Sequence, residues 1–227
     1  MSNGLGAREE ILRTIRRSLG VNGQERPRVD GARDRLERSP KGLVPERGQL
    51  PPAERVALFR AQAEASFATV DEVDTAADVP ASVADYLRRN NLPARVRLAP
   101  DPRIAAMPWG QTALETSSGR SDGGDLIAVN HAFGGVAETG TLALVSGPDT
   151  PTTLNFLPDY AIAVVSAKDI EGAYEQLWDR IRQRYGKGQM PRTVNWVTGP
   201  SRSGDIEQTL LLGAHGPRSV HIVVVRD

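Results

Sequence analysis
The chain has 227 residues, with 28 Lys and Arg against 28 Asp and Glu, 39% hydrophobic residues and no cysteine. Those totals fit an ordinary soluble globular protein with one substantial core, and the missing thiols exclude disulfides, a cysteine nucleophile and thiolate ligation of zinc or an iron–sulfur cluster. No run approaches the roughly 20 apolar residues of a membrane span, and the arginine-rich start lacks the apolar core of a signal peptide, so a cytoplasmic protein is expected.

Neutrality hides an asymmetry. Residues 1–60 hold 13 basic and 8 acidic side chains, the remainder 15 and 20, so a flank of +5 precedes a body of −5. A basic arm can bind nucleic acid, but here acids are interspersed with the arginines and aromatics are almost absent, which favours a solvated helix plus linker over a nucleic-acid partner.

In chain order, Ile11, Leu12, Ile15 and Leu19 recur at helical spacing and predict a short amphipathic helix with one narrow apolar stripe, a candidate contact for the body or a partner. Residues 20–50 carry eight Gly and Pro residues and few large apolar side chains, so a linker or extended arm is expected, giving a flank 1–50 and a domain 51–227. Pro52 suits the first turn of a helix with Val56, Leu58, Phe59 and Ala63. Residues 69–73 read as extended, Ala81–Arg89 as helix and Ala94–Leu98 as strand. Three β-rich runs follow at Asp125–Phe133, Thr139–Ser146 and Tyr160–Ala167, of which Ala161–Val165 is apolar enough for a strand covered on both faces. Lys168–Tyr185 predicts a helix stopped by Gly186 and Gly188, then a strand at Thr193–Thr198, a helix at Asp205–Leu212 and a last strand at Ser219–Val225. This alternation points to parallel pairing in an α/β fold.

Three constellations could carry chemistry. In Gly134-Gly135-Val136-Ala137-Glu138-Thr139-Gly140-Thr141 the glycines let backbone N–H groups approach a ligand, Glu138 projects as a base, nucleophile or acceptor, and Thr139 and Thr141 offer hydroxyls; a plain glycine hairpin with a solvated Glu138 explains the same residues. Gly199-Pro200-Ser201-Arg202-Ser203-Gly204-Asp205 runs from a strand into a helix, whose N-terminus with Arg202 would suit an anion, unless Ser201 or Ser203 merely caps that helix. It is neither a Walker loop nor a dinucleotide fingerprint. Gly213-Ala214-His215-Gly216-Pro217 closes the same helix, and only His215 exceeds what a C-cap requires. His131 and His221 lie in β-rich runs without metal-site spacing, so no metal is expected.

Taken together, Ala137-Glu138-Thr139-Gly140-Thr141-Leu142, Leu154-Asn155-Phe156-Leu157-Pro158-Asp159-Tyr160, the 199–207 stretch and the 213–217 stretch resemble the lactate-utilisation protein C family, which shares the LUD domain, over roughly residues 51–227. The resemblance implies a fold similar to the phosphosugar-isomerase and CoA-transferase superfamily, a three-layer open α/β arrangement with a mainly parallel sheet and helices on both faces. It also implies a cytoplasmic role in oxidising L-lactate to pyruvate beside iron–sulfur partner subunits, this chain being the cluster-free member. The expected ligand is a small carboxylate or phosphorylated metabolite at the carboxyl ends of the strands, with Glu138 and His215 as catalytic candidates and Gly135, Thr139, Gly140, Thr141, Ser201, Arg202 and Ser203 as binding candidates. The alternative is a stand-alone acyl-CoA or phosphosugar enzyme using Glu138.

Overall fold
A computed structural model describes residues 4–204, 210–213 and 215–226. The chain divides into two compact units, Met1–Gly42 and Leu43–Asp227. In the first, α1 (Gly4–Leu19) is the expected amphipathic helix, with Ile11, Ile15 and Leu19 exposed. The segment read as linker contains a second helix, α2 (Arg26–Arg38), which buries no residue. Local chemistry explains it: Pro27 stands in the first turn, Asp34 and Arg38 pair one turn apart, and Ser39 closes the end in the left-handed conformation. Composition pointed away from a core, and Pro and Gly spacing alone did not show that a helix fits between them.

The second unit is built on a six-stranded sheet. Its elements are α3 (Pro52–Ala65), β1 (Thr69–Val73), α4 (Val79–Arg89), β2 (Arg95–Leu98), the short α5 (Pro102–Ala105), β3 (Glu115–Ser118), β4 (Ile127–His131), β5 (Gly134–Val136), β6 (Thr141–Val145), the short α6 (Thr153–Phe156), β7 (Tyr160–Ser166), β8 (Ile170–Glu171), α7 (Tyr174–Tyr185), β9 (Val194–Val197), β10 (Arg202–Gly204), β11 (Leu210–Leu212) and β12 (Ser219–Val225). The sheet order is β1-β12-β7-β4-β2-β3, with every neighbouring pair parallel.

Strand periodicity places the core. On β12, Val223 and Val225 join one cluster while Val220, Ile222 and Val224 join another; on β7, Ile162 and Val164 face the first and Ala163 and Val165 the second. Side chains two residues apart share a face, so these runs of buried β-branched residues are the interior of a sheet covered on both sides. One face is covered by α4, whose Val79, Val83, Tyr86 and Leu87 lie at helical spacing, and by Ile104 of α5. The other meets Phe59 and Ala63 of α3 and Leu142 and Leu144 of a second sheet, β8-β5-β6-β9. On the far side of that sheet, Val136, Ala143 and Val145 pack against Leu177 and Ile181 of α7.

The α/β reading and the parallel sheet hold, and the second sheet is the addition that the sequence did not announce. It changes three local readings. The helix expected from Lys168 begins at Tyr174, because residues 170–171 pair with β5. β9 leaves the parallel series and runs antiparallel to β6, so β7 and β12 are direct neighbours. The helix expected at Asp205–Leu212 is contradicted over its described part: Leu210–Leu212 is a strand pairing antiparallel with Arg202–Gly204, and 205–209 lie outside the described residues. A short leucine run fits strand and helix equally by periodicity, and here the hairpin partner decides.

Candidate functional site
The expected loops do converge, but at the amino ends of the main sheet. β5 and β6 form an antiparallel hairpin, and the turn between them rests on α3: Gly140 has φ of 65°, and a Cβ there would lie 2.2 Å from the backbone nitrogen of Ala63. Gly135 is likewise a packing position, since a Cβ would stand 2.8 Å from the Phe59 ring. Thr141 Oγ1 is 2.7 Å from Thr139 Oγ1, 2.9 Å from the Tyr174 hydroxyl and 2.7 Å from Thr198 Oγ1, which joins the hairpin to the end of β9. From there Gly199 turns at φ of 67° with no room for a Cβ against the Ser66 carbonyl, just before β1. Ser201 donates its N–H to the Pro217 carbonyl, just before β12, and its Oγ accepts from the His215 N–H at 3.3 Å.

The carboxyl-end placement expected for the 199–204 turn and His215 is therefore corrected: these residues sit where β1 and β12 begin. The helix N-terminus proposed to hold an anion there is absent from the described residues, because Arg202 and Ser203 belong to a strand. Arg202 is exposed, and its guanidinium lies 5.2 Å from the Phe67 ring centre. Glu138 does not project as the sequence suggested. It is 4% exposed; Oε1 accepts the Tyr174 N–H at the start of α7, and Oε2 is buried without a hydrogen-bond partner, 3.3 Å from where a Gly48 Cβ would be. Among the described residues no hydrogen bond or ion pair joins Glu138 to Arg202 or His215.

The opposite rim holds an open cleft of about 520 Å³, lined by Asp101, Arg103, His131, Phe133, the 145–150 loop, Arg184 and Tyr185. Its position follows from topology. From β2 the chain moves outward to the edge strand β3, whereas from β4 it moves the other way to β7 and β12, so the crevice beyond β2 and β4 is the switch point where an α/β sheet receives ligands. His131 ends β4, and Asp101 follows β2 by three residues.

The groups in this cleft are held in place by partners of their own. Asp101, 3% exposed, caps the short α5 by accepting the Arg103 N–H at 2.9 Å and grips the Arg103 guanidinium at 3.0 and 2.6 Å. Burial works to raise the Asp101 carboxyl, and the hydrogen bonds and charge of Arg103 overcome it, leaving the group ionised below the usual carboxylate range. His131 Nδ1 lies 2.7 Å from the Ala132 carbonyl; a carbonyl only accepts, so Nδ1 carries the proton and Nε2 a lone pair. Burial, and then the charge of Arg103, push this imidazole below its ordinary 6.5, so it is neutral at neutral pH. Arg184 is exposed, stands 5.7 Å from the Phe133 ring centre and has no carboxylate partner among the described residues. The cleft thus joins a buried neutral base and two guanidinium groups with the exposed Asp149 carboxylate on its 145–150 wall.

The sequence reading passed over His131 because one histidine in a β-rich run resembles a core residue. Its signal was position, at the carboxyl end of a fully buried strand, and that required the strand order.

Comparison with known proteins agrees with the fold. The LUD domain family model matches residues 126–225, from just before β4 through β12. Proteins named lactate utilization protein C are similar: that of Shouchella clausii is 37% identical over 92 residues, 40% of each chain, that of Geobacillus thermodenitrificans 36% over 128 residues, 53% of each chain, and that of Bacillus subtilis 39% over 93 residues, 40% of this chain and 39% of the other. The chain thus matches about half or less of these relatives' length. A crystal structure of a DUF162 family protein from Deinococcus radiodurans superposes with a TM-score of 0.57 at 21% identity, covering 78% of this chain and 99% of that one, and so shares the fold. Residues 126–225 thus match the LUD domain, and the chain is similar over about half its length or less to proteins named lactate utilization protein C.

Proposed function
We propose that the protein serves lactate utilisation as a LUD-domain subunit that holds a small anionic metabolite in the cleft beyond β2 and β4. The observation that carries this reading is the pairing of the LUD match with two guanidinium groups and a neutral imidazole at the sheet's switch point. Arg184 and His131 lie within the matched residues, whereas Arg103 lies outside them, upstream of β3. Lacking cysteine, these residues hold no cluster through thiolates, which fits the cluster-free member that the family resemblance implies; on that reading iron–sulfur partner subunits oxidise L-lactate to pyruvate and this chain binds or presents the carboxylate. No described helix is long and apolar enough to cross a membrane.

Deletion of the chain should abolish growth on L-lactate, wild type should restore it, and Arg184→Gln should restore it poorly. Full growth of the deletion strain, with no duplicate present, would count against the role.

A second reading, a stand-alone acyl-CoA or phosphosugar enzyme with Glu138 as nucleophile, draws on the unpartnered Glu138 Oε2. Incubation with an acyl-CoA should then leave a Glu138-dependent adduct by mass spectrometry. The 4% exposure of Glu138 and its roof at Gly48 favour the first reading.

A further inference from the structure
We propose that β3 is a docking edge for a second copy of this chain, the two β3 strands pairing antiparallel about a twofold axis at Ser117. The contrast between the two edges of the main sheet points to it. β1, at one edge, is dressed with ion pairs: Glu72 holds Arg60 at 3.3 Å and Arg226 at 2.9 Å, and Asp71 holds Arg89 at 2.6 Å. Charges of this kind keep an edge strand from recruiting another strand. β3, at the other edge, has every residue exposed and carries no proline or lysine. Its one charged side chain, Glu115, is paired with Arg95 of β2 at 3.2 Å. On the face that bears Arg95, Glu115 and Ser117, a groove of about 850 Å³ lies open beside the strand.

Backbone direction and charge decide what fits this edge. The Glu115 N–H donates to the Ala94 carbonyl and the Gly119 N–H to the Leu98 carbonyl, so residues 115, 117 and 119 turn their ladder groups toward β2. Thr116 and Ser118 therefore turn theirs outward, two residues apart. An antiparallel copy exchanges both bonds between Thr116 of one chain and Ser118 of the other, and the reverse, with Ser117 facing its own mate on the axis. Charge agrees with that direction. Each β3 is acidic at its start and is followed by Arg120, which is exposed and joins no ion pair among the described residues. In this register Glu115 of one copy lies opposite Gly119 of the other, beside Arg120, whereas parallel pairing would set like charges side by side. Four residues a side make a short ladder, so the dimer is reversible and concentration-dependent.

The test is sedimentation velocity of the full chain from low micromolar to several hundred micromolar. The wild-type sedimentation coefficient should rise with concentration from that of one chain to that of two. Thr116→Pro removes an outward N–H that β2 does not use, and should weaken association about tenfold or more while the far-ultraviolet spectrum is kept. Should Thr116→Pro not fold, the exposed Ser117 serves instead. Ser117→Asp and Ser117→Lys should each stay monomeric where wild type is dimeric, because like charges then meet on the axis, and an equimolar mixture of the two should dimerise. A wild-type chain that stays monomeric throughout overturns the proposal and leaves β3 to an extended segment of a different protein. A dimer that survives in folded Thr116→Pro, or in both charged variants, overturns β3 as its interface. A mixture that stays monomeric overturns the twofold pairing at Ser117.

Discussion

The two rims of the six-stranded sheet differ in what they do with their polar groups. At the amino rim, hydroxyls and a carboxylate are turned on one another or on the backbone: Thr139, Thr141, Thr198 and Tyr174 form a closed set, Ser201 is engaged by His215 and Pro217, and Glu138 lies under Gly48. At the carboxyl rim, Asp101 and the Ala132 carbonyl hold one end of Arg103 and His131, and the other end faces an open cleft. Both rims hold reactive side chains, and the difference is access: Glu138 Oε2, the unpartnered atom at the amino rim, is buried, whereas the carboxyl rim opens into a cleft. Chemistry-bearing residues that satisfy one another stabilise a fold; those gripped from behind with a free front are placed for a ligand.

The largest expected effect sharpens the structural half of this comparison. Gly140→Ala would place a Cβ 2.2 Å from the Ala63 nitrogen at a positive φ, so the hairpin must leave α3 and the domain should lose roughly 3 kcal/mol or more in urea unfolding. A loss under about 1 kcal/mol would mean the amino rim is not the packed junction described.

Next comes the acid response of a buried network near the same rim. His221, 1% exposed, is stacked on Tyr86 at 4.0 Å, bonds Thr69 through Nδ1 and has Asp71 3.7 Å from Nε2. Burial, opposed by Asp71, lowers its pKa from 6.5 to about 4. The folded state thus binds this proton more weakly than the unfolded chain, so His221's contribution is fully present above 6.5 and is lost as the pH falls through about 4, on the order of 3 kcal/mol in all. His221→Gln should flatten that part of the stability profile. An unchanged slope would place the acid sensitivity elsewhere.

The carboxyl rim is probed with a smaller change. Arg184→Gln should weaken L-lactate binding about tenfold, which is about 1.4 kcal/mol, and shift unfolding by less than about 0.5 kcal/mol because the side chain is exposed. The smallest expected effect belongs to Arg202→Ala at the amino rim, which should leave L-lactate affinity within about twofold. If Arg202→Ala weakens binding and Arg184→Gln does not, the ligand belongs at the amino rim.

Much of the architecture was legible because it depends on short-range periodicity. The apolar runs of β7 and β12, the stripe of α4 and the Pro-led start of α3 each announce their element, and the parallel sheet follows from their order. The second sheet was not legible: β5 and β8 are three and two residues long, too short to carry a pattern, and they exist because each pairs with a distant segment. The Leu210–Leu212 strand was misread as helix for the same reason.

The candidate site divides along that line. Motifs drew attention to Glu138, Ser201 and His215, and the structure relates them through the Thr141 to Thr198 bond without bringing Glu138 to Arg202. His131, Asp101, Arg103 and Arg184 are scattered over more than eighty residues and have no shared motif. Only the order of β2, β4 and β7 brings them to one crevice.

The most direct measurement is a titration of the full chain with L-lactate, followed through the ring resonances of its three histidines, each assigned by single substitution. The His131 signals should move with saturation while those of His215 stay fixed. Movement of His215 with His131 unchanged would put the anion at the amino rim and contradict the assignment of the ligand to the cleft beyond β4.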